Sequence, residues 1–187
     1  MSNFQAKPLS IREVLLITPQ KIFDQRGYFM ETYQTATFKK LGIACDFVQD
    51  NHSYSKACGT VRGLHFQVPP YAQAKLVRVI KGSIYDVAVD LRKASPSYGA
   101  WCASTLTAAD AEQLFIPAGF AHGYCTLEAD TEVCYKVDAF YSRQCEGGLV
   151  WNDADIGIDW PVDPAEIVIS EKDAKLQGLK HFSSPFS

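Results

Sequence analysis

Short β-strand patterns recur along most of the chain and constrain its fold more than any other feature. Runs rich in valine, isoleucine, threonine and aromatic residues alternate with glycine, proline and aspartate. The former favour strands, whereas the latter favour turns. The predicted strands are Val14–Thr18, Tyr28–Tyr33, Phe47–Ser53, Thr60–Gln67, Lys75–Ile80, Ile84–Leu91, Ala100–Leu106, Glu112–Ile116, His122–Leu127 and Thr131–Asp138. Two short helices are predicted, Thr35–Leu41 and Glu171–Leu176. Many strands with so little helix predict an all-β fold, a β-sandwich or a jelly-roll barrel.

The length of the chain predicts a single domain. The 187 residues suffice for one full core. We predict one domain over 1–187, with a core of about 12–176 and a tail, 177–187, that contributes little and is mobile. A net charge of −3 gives no field that would attract nucleic acid or an anionic membrane. No signal peptide or membrane span is evident, and the six cysteines form no Cys-x-x-Cys pair. We therefore expect a cytoplasmic protein with reduced, mostly buried thiols.

Two histidines are brought in by strand-rich segments. His65 lies in a predicted strand with Arg62 and Gln67, and His122 follows the turn Pro117–Gly119. Such polar groups inside strands suggest a site within the barrel. By strand alternation, Arg62 points away from His65 unless a glycine marks a bulge or Arg62 serves a neighbouring subunit.

Alternation also singles out four other polar residues. Lys75 shares a face with two core valines, and Tyr135 does the same in its own strand. A buried lysine or tyrosine is costly unless it has a partner, so both are candidates for function. Gln49 and Asn51 share one side of their strand. They line a cavity or form a solvated edge, and sequence alone leaves both open.

The histidines match the metal-binding motifs of cupin barrels only in part. Gly59 and His65 fit the first motif, but Gln67 stands where a second histidine is needed. His122 completes the second motif. A metal site wants three or four good donors, and an amide oxygen is a poor replacement. The ligand count therefore predicts a site without metal.

A series of motifs in order resembles the dTDP-4-dehydrorhamnose 3,5-epimerase family. The resemblance runs from about Phe23 to Asp173, most of the chain. Its segments are Asp24–Glu31, Phe47–Ser53, Arg62–Gln67, Ala72–Arg78, Asp86–Arg92, Ile116–Gly123, Glu132–Lys136, Trp151–Asp153 and Ser170–Asp173. One such segment is weak evidence, but this many in sequence order is a strong signal.

The resemblance implies a metal-free, cupin-type jelly roll that forms a homodimer. It implies a dTDP-4-keto-6-deoxyhexose substrate, inverted at C3 and C5 through an enolate in dTDP-rhamnose biosynthesis, with no cofactor. Carbons beside a ketone carry acidic protons, so this chemistry needs only a base, an acid and a positive group. Two alternatives remain: an epimerase acting at C3 or C5 alone, and a non-catalytic barrel that binds nucleotide sugars.

The resemblance also implies the catalytic roles. His65 is the base, Asp173 the carboxylate that orients it, Tyr135 the acid on the opposite face, and Lys75 the cation beside the enolate oxygen. A structural histidine and a core tyrosine are the competing interpretations of His65 and Tyr135. Ser170–Asp173 also fits a capping box that opens a short helix.

Substrate-binding positions follow from the same resemblance. Arg26 and Arg62 match phosphate-contacting positions, for which a guanidinium group is suited. The other ligand-lining matches are Glu31, Gln49, Asn51, His122, Glu146 and Lys172. The resemblance implies that Glu31 comes from the neighbouring subunit. Arg26 also reads as a turn residue and Glu146 as a solvated loop charge.

Overall fold

Thirteen strands and two short helices make up residues 3–187, the part of the chain that the computed structural model describes. The strands are β1 (Phe4–Pro8), β2 (Leu15–Pro19), β3 (Ile22–Asp24), β4 (Gly27–Phe29), β5 (Gln49–Ser55), β6 (Val61–Gln67), β7 (Lys75–Lys81), β8 (Ser83–Asp90), β9 (Trp101–Thr107), β10 (Gln113–Ile116), β11 (Phe120–Thr126), β12 (Thr131–Val137) and β13 (Glu146–Gly148). The helices are α1 (Thr35–Lys40) and α2 (Glu171–Ala174), and single 3₁₀ turns cover Pro164–Glu166 and Leu179–His181. The all-β prediction is confirmed.

Two antiparallel sheets form a jelly-roll sandwich. The six-stranded sheet has the order β1-β2-β10-β7-β12-β5, and the five-stranded sheet has the order β13-β6-β11-β8-β9. β3 and β4 form a separate hairpin. Consecutive strands such as β7 and β8 lie in different sheets, joined at Gly82, whose φ of +78° favours glycine.

The main core fills the space between the sheets. The six-stranded sheet contributes Val77, Val79, Leu114, Ile116 and Val133, and the five-stranded sheet contributes Ile84, Ala88, Cys102, Leu106, Phe120 and Tyr124. Alternate residues of each strand point inward, as the period of a β-strand requires. Full burial of an aliphatic side chain stabilises the fold by roughly 1.5–3 kcal/mol. This layer therefore holds the sheets together around whatever polar groups lie between them.

The C-terminal tail packs on the outer face of the five-stranded sheet. Phe186 is 8% exposed, and the rings of Phe182 and Phe186 lie 5.0 Å and 6.0 Å from that of Phe66 in β6. The backbone N–H of Lys93 donates to the carbonyl of Phe186. The prediction that the tail contributes little is therefore wrong. Its two aromatic rings cover apolar sheet surface that water would otherwise reach.

The opposite outer face is covered by the segment around α1. Phe38 of α1 is 1% exposed and packs edge-on against Phe4 of β1, with ring centroids 5.1 Å apart. Ile43, after the helix, joins the same apolar cluster. Over residues 3–187, no helix combines the length and apolar character needed to cross a membrane.

Candidate active site

A cavity of about 410 Å³ opens between the two sheets. Both sheets line it, together with the segment that leads into α2. The lining residues are Ser53, Thr60, Val61, Arg62, His65, Lys75, His122, Tyr124, Tyr135, Val168, Ile169, Ser170 and Asp173. Most of the predicted catalytic and phosphate-binding side chains therefore meet in one place.

A second cavity of about 320 Å³ adjoins the first. The two share His65, Lys75 and Tyr135. The other residues that line the second cavity are Gln49, Asn51, Phe66, Gln67, Gln73, Tyr141 and Glu146. The three shared side chains thus stand at the junction of one elongated cleft formed by the two cavities.

The imidazole of His65 is held by Asp173. Nε2 of His65 lies 2.8 Å from Oδ1 of Asp173, and the other carboxylate oxygen accepts from the N–H of Gly63 at 3.3 Å. Burial acts to raise the pKa of Asp173, but the hydrogen bonds from His65 and Gly63 and the attraction of nearby positive charge together outweigh it, so that pKa lies below its ordinary value. When Nε2 carries the proton, Nδ1 is left with the lone pair that can accept another.

Of the predicted capping box at α2, the N-cap half is present. The hydroxyl of Ser170 accepts from the backbone N–H of Asp173 at 3.1 Å, so Ser170 caps the first turn. The side chain of Asp173 is meanwhile free to reach His65. The two interpretations of this segment are therefore compatible, because the cap uses the backbone of Asp173 and the dyad uses its carboxylate.

A bulge in β6 brings Arg62 to the cavity. His122 pairs with His65, but Tyr124, two residues later, pairs with Arg62, three residues earlier, so β6 carries one extra residue. Gly63 lies there with φ +118°, and a Cβ would stand 2.6 Å from the carbonyl oxygen of His122. Only glycine fits this backbone. The sequence-based alternative in which a bulge redirects Arg62 is confirmed.

The guanidinium of Arg62 is held by two hydrogen bonds that leave its positive charge unpaired. Its Nε donates to the hydroxyl of Ser55 at 3.1 Å, and Nη2 donates to the carbonyl of Tyr54 at 2.8 Å. No carboxylate within residues 3–187 forms an ion pair with it. Its positive charge is therefore available to an anion in the cleft.

Two tyrosines face the cavity, and their hydroxyls differ. The hydroxyl of Tyr124 is 2.7 Å from that of Ser53. Tyr135, by contrast, forms no side-chain hydrogen bond with the rest of residues 3–187. Burial raises the pKa of both phenols, with Arg62 opposing the shift at Tyr135. Tyr135 thus stays protonated and has a donor that the protein does not use.

Lys75 is a buried ammonium group with spare donors. It is 8% exposed, and its Nζ donates to the backbone carbonyl of His65 at 3.3 Å. Burial lowers the pKa of Lys75 to about 8, against the attraction of Asp86. An ammonium has three donors. The side chain therefore reaches the cleft as a cation that is expensive to bury and incompletely hydrogen-bonded.

Comparison with known proteins shows the family to which the chain belongs. The profile of the family described as dTDP-4-dehydrorhamnose 3,5-epimerase matches residues 8–181. A family member from Sinorhizobium fredii is 51% identical over 171 residues, which cover 91% of this chain and 87% of that protein. The chain belongs to this family. The resemblance inferred from the motifs is therefore confirmed.

Solved structures of 3,5-epimerases superpose closely on the chain. That of the Bacillus anthracis enzyme with TDP and pyrophosphate bound has a TM-score of 0.91 and 45% identity, covering 94% of this chain and 99% of that one. A Legionella pneumophila 3,5-epimerase in complex with dTDP-4-keto-L-rhamnose has a TM-score of 0.91 and 37% identity, covering 96% and 95%. The cupin-type jelly roll is thus shared with the family.

His122, predicted to line the ligand site, belongs to a second imidazole–carboxylate pair. Its Nε2 is 2.6 Å from Oδ1 of Asp86, and the side chain is 6% exposed. Burial lowers the pKa of His122, although Asp86 opposes the shift. Asp86 was missed by sequence reasoning. The available signal was an aspartate between two inward-facing apolar residues of β8, Ile84 and Ala88.

The far side of the second cavity is a polar wall. The amide of Gln49 donates to Asn51 at 2.8 Å, so these two do line a cavity. Lys172 donates to Glu146 at 2.6 Å, and this contact lowers the pKa of Glu146 and raises that of Lys172. Tyr141, exposed at 57%, donates to the same carboxylate at 3.2 Å. Glu146 is thus a paired residue of the cleft and not a solvated loop charge.

Gln67 stands at the altered position of the metal motif, and its side-chain amide forms hydrogen bonds with backbone groups. Its amide nitrogen donates to the carbonyls of Tyr71 and Phe140, and its oxygen accepts from the N–H of Ser142. Among residues 3–187, no three His, Cys, Asp or Glu side chains group as metal ligands. The role of Gln67 is to fix the loop that carries Tyr141.

Arg26 and Glu31 do not reach the cleft of their own chain. Arg26 lies in the β3–β4 hairpin, with 84% of its side chain exposed, and pairs with Asp24 at 2.5 Å. Glu31 accepts from Asn3 at 3.0 Å. Neither lines either cavity. Within one chain, the structure therefore separates these two predicted ligand contacts from the other site residues.

Proposed function

We propose that the cleft binds dTDP-4-dehydro-6-deoxy-D-glucose and inverts C3 and C5 to give dTDP-4-dehydro-L-rhamnose. The observation that carries this proposal is the placement of acid and base on opposite walls. His65 comes from the five-stranded sheet, whereas Tyr135 and Lys75 come from the six-stranded sheet. A sugar ring between the sheets has the base on one face and the proton donor on the other, as inversion requires.

Proton removal is the task of His65. Its Nδ1 accepts the proton from a carbon next to the C4 ketone, and the C–H electron pair becomes the double bond of an enolate. Asp173 stabilises the imidazolium that forms and holds the ring in place, as a carboxylate does in other histidine dyads. Imidazole is suited to accept and release protons near neutral pH.

Lys75 supplies the charge that makes the carbon acidic. As the enolate forms, negative charge builds on the C4 oxygen. An ammonium with unused donors beside that oxygen stabilises the charge, and such groups are typically worth roughly 10²–10³ in rate. The reaction is redox-neutral and transfers only protons. It therefore calls for no external cofactor.

Tyr135 returns a proton from the opposite face. Its hydroxyl has no competing partner among residues 3–187, and burial keeps it protonated. Donation to the enolate carbon leaves a phenolate, which regains its proton from solvent. Tyr124 is less suited to this role because its hydroxyl is engaged with Ser53.

The nucleotide occupies the rest of the cleft. Arg62 has an uncompensated guanidinium for the diphosphate. His122, Gln49, Asn51, Glu146 and Lys172 provide polar contacts along its length. TDP in the Bacillus anthracis relative and dTDP-4-keto-L-rhamnose in the Legionella relative support this class of ligand. We include a cytoplasmic location in this proposal, because a doubly charged nucleotide sugar does not cross a membrane unaided.

Proton NMR in D₂O tests the reaction. Purified, chelator-treated protein is mixed with dTDP-4-keto-6-deoxyglucose, and the product is trapped by a 4-keto reductase. We expect deuterium at both C3 and C5. Deuterium at one carbon would replace the proposal with a single-centre epimerase, and binding without exchange would replace it with a nucleotide-sugar-binding barrel. The 3,5-epimerase name of each of the three relatives compared favours the double inversion.

The second part of the proposal is a homodimer that shares its sites. The β3–β4 hairpin exposes Phe23 at 72% and Phe29 at 67%, an apolar surface of the kind that marks protein contacts. Arg26 and Glu31 lie on or just after this hairpin and away from their own cleft. A second copy that covers the hairpin would receive both side chains at its cleft.

Mixing two inactive variants tests the shared site. Arg26→Ala and His65→Ala proteins are combined under conditions that allow subunit exchange. If sites are shared, half of the dimers are mixed and each has one intact site. Activity then recovers to about a quarter of the wild-type value. No recovery despite proven exchange would show that each chain supplies its own Arg26.

A further inference from the structure

A buried carboxylate beside the cleft has one oxygen without a partner. Asp86 of β8 is 0% exposed, and its Oδ1 is 2.6 Å from Nε2 of His122. Its Oδ2 is the one buried side-chain nitrogen or oxygen atom in residues 3–187 that forms no hydrogen bond. Burying a charged oxygen unpaired costs several kcal/mol in an apolar setting. Such an atom calls for a compensating charge nearby.

The neighbouring imidazole does not provide that charge. Burial lowers the pKa of His122, so its ring is neutral at neutral pH despite the contact with Asp86. The pair therefore keeps a net negative charge inside the sandwich. Lys75, on the facing sheet, is the buried group of opposite sign, and Asp86 raises its pKa against the effect of burial.

The other carboxylates around Lys75 are already committed. Both carboxylate oxygens of Asp173 are hydrogen-bonded, to His65 and to the N–H of Gly63, and both oxygens of Glu146 are hydrogen-bonded, to Lys172 and Tyr141. The remaining titratable or charged groups that line the two cavities are Arg62, His65, His122, Tyr124, Tyr135 and Tyr141. None of these is an anion at neutral pH. Among residues 3–187, Asp86 is thus the anion left to balance Lys75.

We propose that Asp86 is a positioning residue for epimerisation: Oδ1 holds His122, and Oδ2 provides the buried counter-charge of Lys75. The inference rests on the proposed function, because it explains how Lys75 stays cationic at the keto oxygen. Nζ of Lys75 lies beyond 4.0 Å from this carboxylate, since no ion pair joins them. At that separation Asp86 stabilises the charge but leaves the ammonium donors for the substrate.

The physical basis is attraction across a medium that screens poorly. Between the sheets the effective dielectric constant is far below that of water, so two opposite charges influence each other beyond contact distance. An opposite charge within about 4–6 Å typically shifts a pKa by 1–3 units towards the charged form. A contact ion pair would do this more strongly but would use the donors that the enolate oxygen needs.

Titration of Lys75 in the substrate-free protein tests the inference. Lysine labelled with ¹³C at Cε is observed by NMR, and the Lys75 signal is assigned by its loss in Lys75→Arg. We expect Asp86→Asn to move the Lys75 midpoint down by roughly one pH unit or more. The alkaline limb of kcat should move by the same amount. A role of Asp86 in packing alone would move neither.

Asp90→Asn is the matched control. Asp90 is also fully buried in β8, but Arg92 pairs with it at 2.7 Å, and it lines neither cavity. Its variant should leave the Lys75 midpoint unchanged even if it lowers thermal stability. Asp86→Glu, which keeps the charge, should restore most of the shift.

The possible outcomes separate the two proposals. An unmoved Lys75 midpoint in folded Asp86→Asn protein overturns the counter-charge, as does an equal shift in Asp90→Asn. A moved midpoint with an unmoved kcat limb overturns the role of Lys75 in the reaction, and with it the positioning role. If Asp86→Asn does not fold, Asp86→Asn combined with His122→Gln replaces it. Two amides can then form the hydrogen bond of the original pair, and the expected shift is the same.

Discussion

Two adjacent histidines of the five-stranded sheet each form an imidazole–carboxylate pair, and the two pairs differ in access to the cleft. His65 and His122 are register neighbours on β6 and β11, and each places Nε2 against an aspartate. The side chain of His65 is 34% exposed, whereas that of His122 is 6% exposed. The same chemical unit can therefore exchange protons with a ligand in one case. In the other case the imidazole is shielded from solvent, and its pairing with Asp86 fixes it in the cavity wall.

The two pairs are also assembled differently. Asp86 lies in β8, next to β11, so the His122–Asp86 pair, called here the sealed pair, is complete within one sheet. Asp173 comes from α2, in the C-terminal segment that closes over the cavity. The His65–Asp173 pair, called here the open pair, thus forms only where the C-terminal segment contacts the sheet. Proton transfer depends on that contact, whereas the sealed pair depends on the sandwich alone.

Removing the imidazole of the open pair is the strongest test of this difference. His65→Ala should abolish deuterium exchange at both carbons, with a loss of at least roughly 10²–10⁴ in kcat, because no other base faces the substrate. The control is His52→Ala, which breaks an outer pair with Glu132. Steady-state kinetics and exchange in D₂O measure both. Full activity in His65→Ala would show that the open pair is not the base.

Loss of the buried cation should have the next largest effect. Lys75→Met removes the charge beside the enolate oxygen at nearly constant volume, so we expect kcat to fall roughly 10²–10³-fold. Lys136→Met is the matched control, since Lys136 lies on the outer face of β12 and pairs with Asp50. Equal activities of the two variants would remove Lys75 from the mechanism.

Tyr135 and Tyr124 allow the free hydroxyl to be compared with the engaged one. Tyr135→Phe should reduce product formation by roughly 10²-fold. Wash-in of deuterium at the carbon that His65 serves should fall less, because abstraction precedes donation. Tyr124→Phe should cost about 1 kcal/mol of stability through its lost bond to Ser53, with little change in kcat. The opposite ranking of the two variants in turnover would exchange their roles.

Raising the pH should affect activity and stability in opposite directions through Lys75. Its folded pKa of about 8 lies below its ordinary value of 10.5. Between these values the unfolded chain binds more protons, so this group's contribution to the free energy of unfolding rises with pH. kcat should fall over the same range, up to roughly tenfold per pH unit, as the cation is lost. Denaturant titrations of wild type and Lys75→Met, compared at each pH, measure the stability term. The same rise in both proteins would assign it to another group.

Sequence pattern predicted the strands with apolar residues facing a core well, and it missed three strands that lie at sheet edges. β7, β8, β9 and β12 begin and end within one residue of the prediction, because their alternating apolar residues face a core. β1, β3 and β13 were missed. All three residues of β3 are exposed, and β13 contains two glycines, so neither carries an apolar alternation. Backbone pairing to a neighbour forms these strands, and such pairing leaves no local signal.

The site residues also differ in whether a local sequence pattern reveals them. Lys75 and Tyr135 could be found because a polar group on an apolar strand face is costly. The position of Arg62 depended on the bulge at Gly63, which sequence offered only as an alternative. Asp86 was hidden in an apolar run, since its partner is 36 residues away. Arg26 and Glu31 could be placed only by family resemblance, because their proposed site belongs to a second chain.

The smallest expected effect on catalysis concerns the tail. The sequence-based prediction underestimated its contribution to stability. Phe186→Ala removes a ring that packs on Phe66 of β6, the strand that carries His65, so we expect the free energy of unfolding to fall by about 3 kcal/mol. kcat at 25 °C should stay near the wild-type value, because the cleft lies on the opposite face of that sheet. Thermal melts and initial rates measure both, with Tyr98→Ala as a partly exposed aromatic control that should change stability by no more than about 0.5 kcal/mol. A large fall in kcat in folded Phe186→Ala protein would show that the open pair depends on this outer layer as well as on α2. The sealed pair would then be the one part of the site that the two sheets hold in place without the outer layer or α2.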